Sequence, residues 1–96
     1  MKQFAGKVAL ITGGNAGIGR AAAIEFAKQG AKVVVSGRRE KEGHSVIAEI
    51  KALGGDAIFV RTDVSKASDV KAMIEQTLAT FGRLDFAFNN AALSRL

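Results

Sequence analysis

Short runs of apolar residues alternate along the chain with longer segments in which apolar residues recur every three or four positions. The runs occupy residues 8–11, 33–35, 57–60 and 86–88, and they consist almost entirely of Val, Ile, Leu, Ala and Phe. A short continuous apolar run is typical of a strand that is buried in a parallel sheet. The pattern therefore predicts four strands.

Three helices are predicted between these strands, and glycine follows each of them. Apolar residues spaced by three or four positions lie on one face of a helix, and glycine favours the end of a helix. We expect Ser65 to cap the third helix, because a Ser hydroxyl can accept a hydrogen bond from a free N–H of the first turn. The three apolar faces and their glycines are Ile18, Ala22 and Phe26 before Gly30; Val46, Ile47, Ile50 and Leu53 before Gly54 and Gly55; and Val70, Met73, Ile74, Thr77, Leu78 and Phe81 before Gly82.

Strands that alternate with helices indicate repeated βαβ units, which form a parallel sheet with right-handed crossovers. The sequence therefore predicts an α/β, Rossmann-like sheet with the strand order 3-2-1-4, incomplete relative to the full doubly wound fold. A chain of 96 residues has the length of one small domain, and we assign residues 1–96 to a single unit. Ligands bind such sheets outside the carboxyl ends of the strands where the strand order reverses, here between strands 1 and 4.

Composition excludes several kinds of site. The sequence has no Cys, which excludes disulfides, cysteine nucleophiles and cysteine metal sites, and its one His, His44, lies in a polar segment where we expect it to be solvated. The first residues do not form an apolar signal region, and no apolar stretch approaches the roughly 20 residues of a membrane span. We therefore expect a cytoplasmic protein without a membrane partner.

The net charge of +5 raises the question of nucleic-acid binding. Apart from Arg38, Arg39 and Lys41, the basic residues are spread singly among acidic residues, and no aromatic platform accompanies them. A nucleic-acid site needs a clustered basic surface. We therefore expect no nucleic-acid partner.

A glycine-rich segment connects the first strand to the first helix, where residues 12–19 read TGGNAGIG. A pyrophosphate must come close to the positive N-terminus of a helix to accept backbone N–H bonds, and a Cβ at Gly13, Gly17 or Gly19 would obstruct the turn, the ligand or the packing of the helix. No Gly-Lys-Ser/Thr follows, so this is not a Walker loop. The segment indicates phosphate binding, and the alternative is a glycine-rich turn without a ligand.

Three motifs in this order resemble those of the short-chain dehydrogenases/reductases. Residues 12–19 match that family's TGxxxGxG loop, Asp63 and Val64 look like its adenine-contacting Asp-Val pair, and residues 89–92 resemble its NNAG motif, with Ala92 in place of the final Gly. Together they extend over almost all 96 residues. The resemblance implies the dinucleotide-binding half-domain of an NAD(P)-dependent oxidoreductase.

The resemblance also implies roles for individual residues. It places the backbone of Ile18 near the pyrophosphate, and Asn15 together with the backbone of residues 90–91 near the adenosine ribose. The side chain of Asp63 and the backbone of Val64 would contact adenine.

The end of strand 2 bears on the choice of cofactor. An acidic residue at this place accepts hydrogen bonds from the ribose 2′-OH of NAD. Here the position is taken by Gly37, and the next residue, Arg38, offers a planar set of donors to a 2′-phosphate. NADP is therefore favoured over NAD. The alternative is that Arg38 and Arg39 face solvent and pair with Glu40 or Glu42.

The expected cofactor-binding residues all lie at the carboxyl ends of the predicted strands or at the start of the first helix. The alternative to cofactor binding is a local structural role. Asp63 would then be a turn or helix-start residue, and the asparagines Asn15, Asn89 and Asn90 would be turn formers. The full set is Gly13, Asn15, Gly17, Ile18, Gly19, Arg38, Asp63, Val64, Asn90 and Ala91.

No catalytic residue is predicted within the sequence. Members of the family use a Ser, a Tyr and a Lys, the last two in a Tyr-x-x-x-Lys motif after strand 4, and this sequence contains no Tyr. Three hypotheses stay open: the cofactor-binding part of an oxidoreductase, shortened by truncation; a non-catalytic nucleotide-binding module, completed by a partner chain; and a structural fragment with a vestigial site.

Self-association is the expected property of such an incomplete sheet. Right-handed crossovers place helices 1 and 2 on one face and only helix 3 on the other. Part of that second face is then uncovered, and strand 4 has an open outer edge. We expect the chain to associate with itself through the strand 4 edge or the uncovered face.

Overall fold

The computed structural model describes residues 2–13 and 17–90 and confirms the four strands and three helices predicted from the sequence. Within these residues, no helix is both long enough and apolar enough to cross a membrane. The elements are β1 (Val8–Thr12), α1 (Gly17–Lys28), β2 (Lys32–Gly37), α2 (Glu40–Ala52), β3 (Ala57–Arg61), α3 (Ala67–Phe81) and β4 (Phe86–Asn89).

The strands form one parallel sheet in the order β3-β2-β1-β4, as predicted. β1 lies between β2 and β4, and all five of its residues are buried. Thr12, its last residue, is in register with Ser36 of β2 and with Asn89 of β4. The carboxyl ends of the three strands therefore meet at the edge where the sequence predicts the ligand site.

The side chains of the sheet divide between two apolar layers, because successive residues of a strand point to opposite faces. Ile11, Val33 and Val35 belong to the larger layer, which includes buried residues of α1 and α2. Leu10 and Val34 belong to the smaller layer with Met73 of α3. Two helices thus cover one face and a single helix lies on the other, as the right-handed crossovers predict.

The predicted apolar face of α1 was wrong by one position. The fully buried residues of the helix are Gly19, Ala23 and Ala27, whereas Ile18 is 72% exposed and Phe26 is only partly buried. Small side chains let the helix backbone lie close to the sheet, and this close packing decides which face turns inward. A larger side chain such as Ile18 is then directed away from the core.

Glycine ends the helices as predicted. Gly82 has φ +77° and donates its N–H to the carbonyl of Leu78 at 2.8 Å, which is a left-handed ending that favours glycine. Ser65, in contrast, does not cap α3, and this prediction was wrong. The N-cap of α3 is Lys66, because Ser65 forms its hydrogen bonds within the preceding turn, to Asp63.

Three phenylalanines close the core beside β4. Phe4 precedes β1, Phe26 lies on α1 and Phe86 begins β4, and their ring centroids lie 5.0–5.4 Å apart. These spacings are typical of attractive tilted ring pairs. The contact ties the N-terminal segment to an edge strand more than 80 residues away in sequence.

Candidate cofactor-binding site

The polar residues and glycines of the site lie just beyond the carboxyl ends of the four strands. Gly13 follows β1, Arg38 follows β2, Asp63 comes two residues after β3 and Asn90 follows β4. The backbone of this edge is tied together, since Gly13 N–H donates to the carbonyl of Ser36 at 2.7 Å and Thr62 N–H donates to the carbonyl of Gly37 at 2.9 Å.

Gly19 lies against the backbone of the first strand end. A Cβ on Gly19 would overlap the carbonyl oxygen of Gly13, and it would lie 2.9 Å from the carbonyl carbon and 3.0 Å from Nδ2 of Asn90. Asn90 Nδ2 donates to the same carbonyl oxygen at 3.4 Å. The first turn of α1 can reach the ends of β1 and β4 only because this residue is glycine.

The helix N-terminus at which the sequence predicts phosphate binding is the start of α1. Gly17, its first residue, has φ +59°, and a Cβ there would meet no atom within 4 Å, so backbone conformation rather than space favours glycine. Ile18, the next residue, is exposed. The predicted contacts of Asn15 and Ala91 lie outside the described residues.

A hydroxyl that the sequence analysis did not single out connects β1 to β4. Thr12 Oγ1 donates to Asn89 Oδ1 at 2.8 Å, with the carbonyl of Phe88 at 3.3 Å. Thr12 is 8% exposed whereas Asn89 is exposed, so this bond is partly buried at the surface of the strand ends. It holds the two strand ends that flank the predicted switch point. Thr12 belongs to the TGxxxGxG pattern and Asn89 to the NNAG pattern, but neither pattern indicates that the two side chains contact each other.

Asp63 is held in an ionised, oriented state by the turn after β3. Its Oδ1 accepts hydrogen bonds from the N–H of Ser65 at 3.0 Å and from the hydroxyl of Ser65 at 2.6 Å. These bonds lower the pKa of the Asp63 carboxyl, and the positive charges of Arg38 and Lys66 lower it further. Asp63 is thus a turn residue, as the alternative stated, but within the described residues its Oδ2 has no hydrogen-bond partner and can receive a ligand.

The two arginines after β2 have different surroundings. Arg39 is the N-cap of α2 and lies 3.5 Å from the carboxylate of Glu42. Arg38 forms no ion pair with any described residue, although its charge acts on Asp63. Both arginines are exposed, as the alternative stated, but only Arg39 pairs with a neighbouring glutamate among the described residues. Arg38 is exposed, and its charge reaches the carboxylate of Asp63.

Val64 and His44 complete the positions considered from the sequence. Val64 follows Asp63 and lines a groove beside α3. His44 is exposed on α2, with its ring 5.3 Å from that of Phe59. Across residues 2–13 and 17–90, no group of three or more His, Asp or Glu side chains could hold a metal ion.

Comparisons with known proteins agree with this geometry. The model of the family described as short chain dehydrogenase matches residues 7–96. An uncharacterized oxidoreductase of Thermotoga maritima is 46% identical over 90 residues, covering 94% of this chain and 35% of the relative. The 11-beta-hydroxysteroid dehydrogenase A of Sesamum indicum is 47% identical over 93 residues, covering 96% of this chain and 27% of the relative.

Solved structures show the same partial match. A hydroxysteroid dehydrogenase from Escherichia coli superimposes with a TM-score of 0.88 and 38% identity over 90% of this chain and 37% of its own. A glucose dehydrogenase of Caenorhabditis elegans gives a TM-score of 0.87 and 40% identity over 92% of this chain and 38% of its own. The chain thus spans about a third of the length of these relatives.

Proposed function

Because the chain belongs to the short-chain dehydrogenase family, we propose that it is the dinucleotide-binding part of an NAD(P)-dependent oxidoreductase acting on an alcohol or a carbonyl compound. The family generally binds NAD(P). The observation that carries the proposal is the contact of Gly19 with Gly13 and Asn90, which brings the start of α1 to the ends of β1 and β4.

The described residues fit a dinucleotide. The cradle at Gly19 has no space for a Cβ, and the N-terminus of α1 provides positive potential for a pyrophosphate. The open oxygen of Asp63 can accept a hydrogen bond from adenine, and Val64 lies beside it. The bound nicotinamide would supply the hydride transfer of the reaction. The residues of this chain bind and orient the dinucleotide.

NADP is the cofactor that we propose. Gly37 carries no carboxylate that would repel a 2′-phosphate, and Arg38 is an exposed guanidinium without an ion-pair partner among the described residues. Arg39, by contrast, is engaged with Glu42. Arg38 is therefore the residue expected to distinguish NADP from NAD.

The proposed function is tested by titrating the chain with NADPH. Binding is measured by calorimetry or by the fluorescence of the reduced nicotinamide. The wild-type chain should bind, and Gly19→Ala should weaken binding at least tenfold, because its Cβ would displace the Gly13 carbonyl or Asn90. Gly55→Ala is the matched control, since its Cβ would crowd Ile50 at 2.8 Å but lies at the other end of the sheet. No binding by the wild-type chain, or equal binding by both variants, would contradict the proposal.

A nucleotide-binding module without catalysis of its own is the second candidate. The sequence contains no Tyr, so these 96 residues cannot supply the Tyr-x-x-x-Lys pair that the family uses. Self-association through the β4 edge or the face beside α3 is part of this second candidate. The cytoplasmic location expected from the sequence stays a prediction.

A further inference from the structure

The turn that follows β3 holds Asp63 by almost all of its polar groups. The N–H of Asp63 donates to Oδ2 of Asp69 at 3.0 Å. Its carbonyl accepts a hydrogen bond from the N–H of Lys66 at 2.9 Å, and its Oδ1 accepts the two bonds from Ser65. Among the described residues, Oδ2 is therefore the one polar atom of Asp63 without a hydrogen-bond partner.

The bond to Asp69 connects the start of this turn to α3. Ser65 and Lys66 are members of the turn itself, so their bonds to Asp63 preserve its shape. Asp69 lies beyond the turn on α3, and its carboxylate fixes the backbone of Asp63 relative to that helix. Both residues are half-buried, which limits the competition from water for this bond.

The residue before Asp63 is fixed separately, to strand β2. Thr62 is 2% exposed, and its N–H donates to the carbonyl of Gly37 at 2.9 Å. Its hydroxyl donates to the carbonyl of Val60 at 3.1 Å. The consecutive N–H groups of Thr62 and Asp63 are thus held by β2 and by α3. This arrangement leaves the backbone of Asp63 little freedom to rotate.

Asp69 does not form the contact that is common at its position in a helix. It is the third residue of α3, after the N-cap Lys66. A Glu or Gln side chain at this position often accepts a hydrogen bond from the N–H of the N-cap. Here the N–H of Lys66 donates to the carbonyl of Asp63, and the Asp69 carboxylate instead accepts the N–H of Asp63. The acid at the start of α3 therefore stabilises the turn before the helix.

We propose that Asp69 is a positioning residue for the dinucleotide, because its bond to the N–H of Asp63 fixes the direction of the free Asp63 oxygen that accepts the amino group of adenine. This inference rests on the proposed function, in which Asp63 contacts adenine. Asp69 itself does not touch the cofactor. An acceptor that is already oriented loses less conformational entropy on binding, so its hydrogen bond contributes more to affinity.

Two ligands isolate the amino group of adenine. They are NADPH and the analogue with unsubstituted purine in place of adenine, which lacks only that amino group. The ionised Asp63 can accept a hydrogen bond from NADPH at this position but not from the analogue. We expect the wild-type chain to bind NADPH about tenfold more tightly than the analogue, as for one hydrogen bond to a charged group. All other contacts are common to both ligands.

Substitution of Asp69 should change this ratio. Asp69→Ala removes the acceptor, and we expect it to weaken NADPH binding about tenfold and to leave binding of the analogue nearly unchanged. Asp69→Asn keeps a side-chain oxygen that can accept the N–H, so it should retain the wild-type ratio. A merely structural role of Asp69 would weaken the binding of both ligands equally.

Glu40→Ala is the matched control for the charge at a helix start. Glu40 is an acidic residue in the first turn of α2, and it forms no hydrogen bond or ion pair with the described residues. Its removal takes a favourable negative charge from a helix N-terminus, as Asp69→Ala does. We expect the ratio of the two affinities to stay at its wild-type value.

Amide hydrogen exchange, followed by NMR without any cofactor, measures the hydrogen bond itself. The amide of Asp63 should exchange at least about tenfold faster in Asp69→Ala than in the wild-type chain or in Asp69→Asn. The amide of Thr62, which donates to Gly37, should keep its rate in all three. Equal exchange of the Asp63 amide in the wild-type chain and in Asp69→Ala would overturn the inference.

The binding results distinguish a failure of this inference from a failure of the proposed function. A wild-type chain that binds neither ligand contradicts the proposed function, and the inference with it. Equal binding of both ligands by the wild-type chain leaves dinucleotide binding intact but overturns the role of Asp69. The same holds if Asp69→Ala keeps the preference for NADPH, or if Asp69→Asn loses it as fully as Asp69→Ala.

Discussion

Asp85 and Val8 hold the amino ends of β4 and β1 together by two hydrogen bonds in opposite directions. The N–H of Asp85 donates to the carbonyl of Val8 at 2.9 Å, and the N–H of Val8 donates to Oδ2 of Asp85 at 2.8 Å. Arg83 binds the same carboxylate with both its Nε, at 2.9 Å, and its terminal nitrogen, at 2.8 Å. The Asp85 side chain thus adds a hydrogen bond between β1 and the residue that precedes β4.

The carboxyl end of β4 is held to β1 by the hydrogen bond between Thr12 and Asn89. A slip of one residue would turn every side chain of β4 to the opposite face. The two contacts therefore define the register that brings Asn90 to the carbonyl of Gly13. An edge strand with one neighbour depends on such contacts more than a central strand does.

The stability of the chain should depend on pH through Asp85. Its bond to Arg83, the N–H of Val8 and the charge of Lys7 lower the pKa of Asp85 below its ordinary value of 3.8. A carboxyl group with a lower pKa in the folded state stabilises the fold above its unfolded pKa, and this contribution is lost as the pH falls through the folded pKa. We expect the free energy of unfolding to decrease on acidification below about pH 4.

Urea unfolding at several pH values measures this effect, and Asp85→Asn should make the acid loss smaller. Asp63, whose pKa is also lowered, accounts for part of the dependence that remains. Asp56→Asn is the control, because the Asp56 carboxylate forms no hydrogen bond or ion pair with the described residues. The explanation fails if the Asp85 and Asp56 variants have the same pH dependence.

The two neighbouring arginines should differ in their effect on cofactor preference. We expect the chain to bind NADPH about tenfold more tightly than NADH, because a charge-assisted hydrogen bond to the 2′-phosphate is made only by NADPH. Arg38→Ala should remove most of this difference. Arg39→Ala should leave it nearly unchanged, since Arg39 interacts with Glu42. Calorimetric titration at low salt with both cofactors measures the ratio, and equal affinities in the wild-type chain would rule out the assignment.

The same substitution at two buried threonines should have different results. Thr12→Val removes the hydrogen bond to Asn89, and we expect it to lower the free energy of unfolding by about 1 kcal/mol and to weaken dinucleotide binding. Thr77 Oγ1 donates to the carbonyl of Met73 in its own helix, so Thr77→Val should leave binding unchanged. Thermal unfolding and NADPH titration of both variants test the difference. If both variants lose NADPH affinity equally, the hydrogen bond from Thr12 to Asn89 has no specific role in dinucleotide binding.

Removal of one buried hydroxyl should not destabilise the chain. Ser36 is fully buried in β2, and its Oγ has no hydrogen-bond partner among the described residues. Burial of a hydroxyl without a partner is unfavourable. We expect Ser36→Ala to raise the free energy of unfolding by about 1 kcal/mol, as measured in urea. A clear loss of stability would show that the hydroxyl is satisfied.

The sequence by itself determined the elements, their order and the edge where the site lies. Apolar runs and helical spacing are local patterns, and right-handed crossovers leave few arrangements for four parallel strands. The glycines that end the helices, Gly30, Gly54 and Gly82, are equally local, since each adopts a positive φ at a helix end. The cap of α3 was predicted wrongly, because Ser65 donates its hydrogen bonds to Asp63 and Lys66 is the N-cap.

Only the tertiary structure decided which side chains meet. Val8 and Asp85 are 77 residues apart in sequence, as are Thr12 and Asn89, and no local periodicity encodes such pairs. The inward face of α1 was set by how closely Ala23 and Ala27 approach the sheet rather than by the hydrophobicity of Ile18. Ile74 and Leu78 follow the helical pattern of core residues but stay exposed, because burial requires a second surface and no described element covers them.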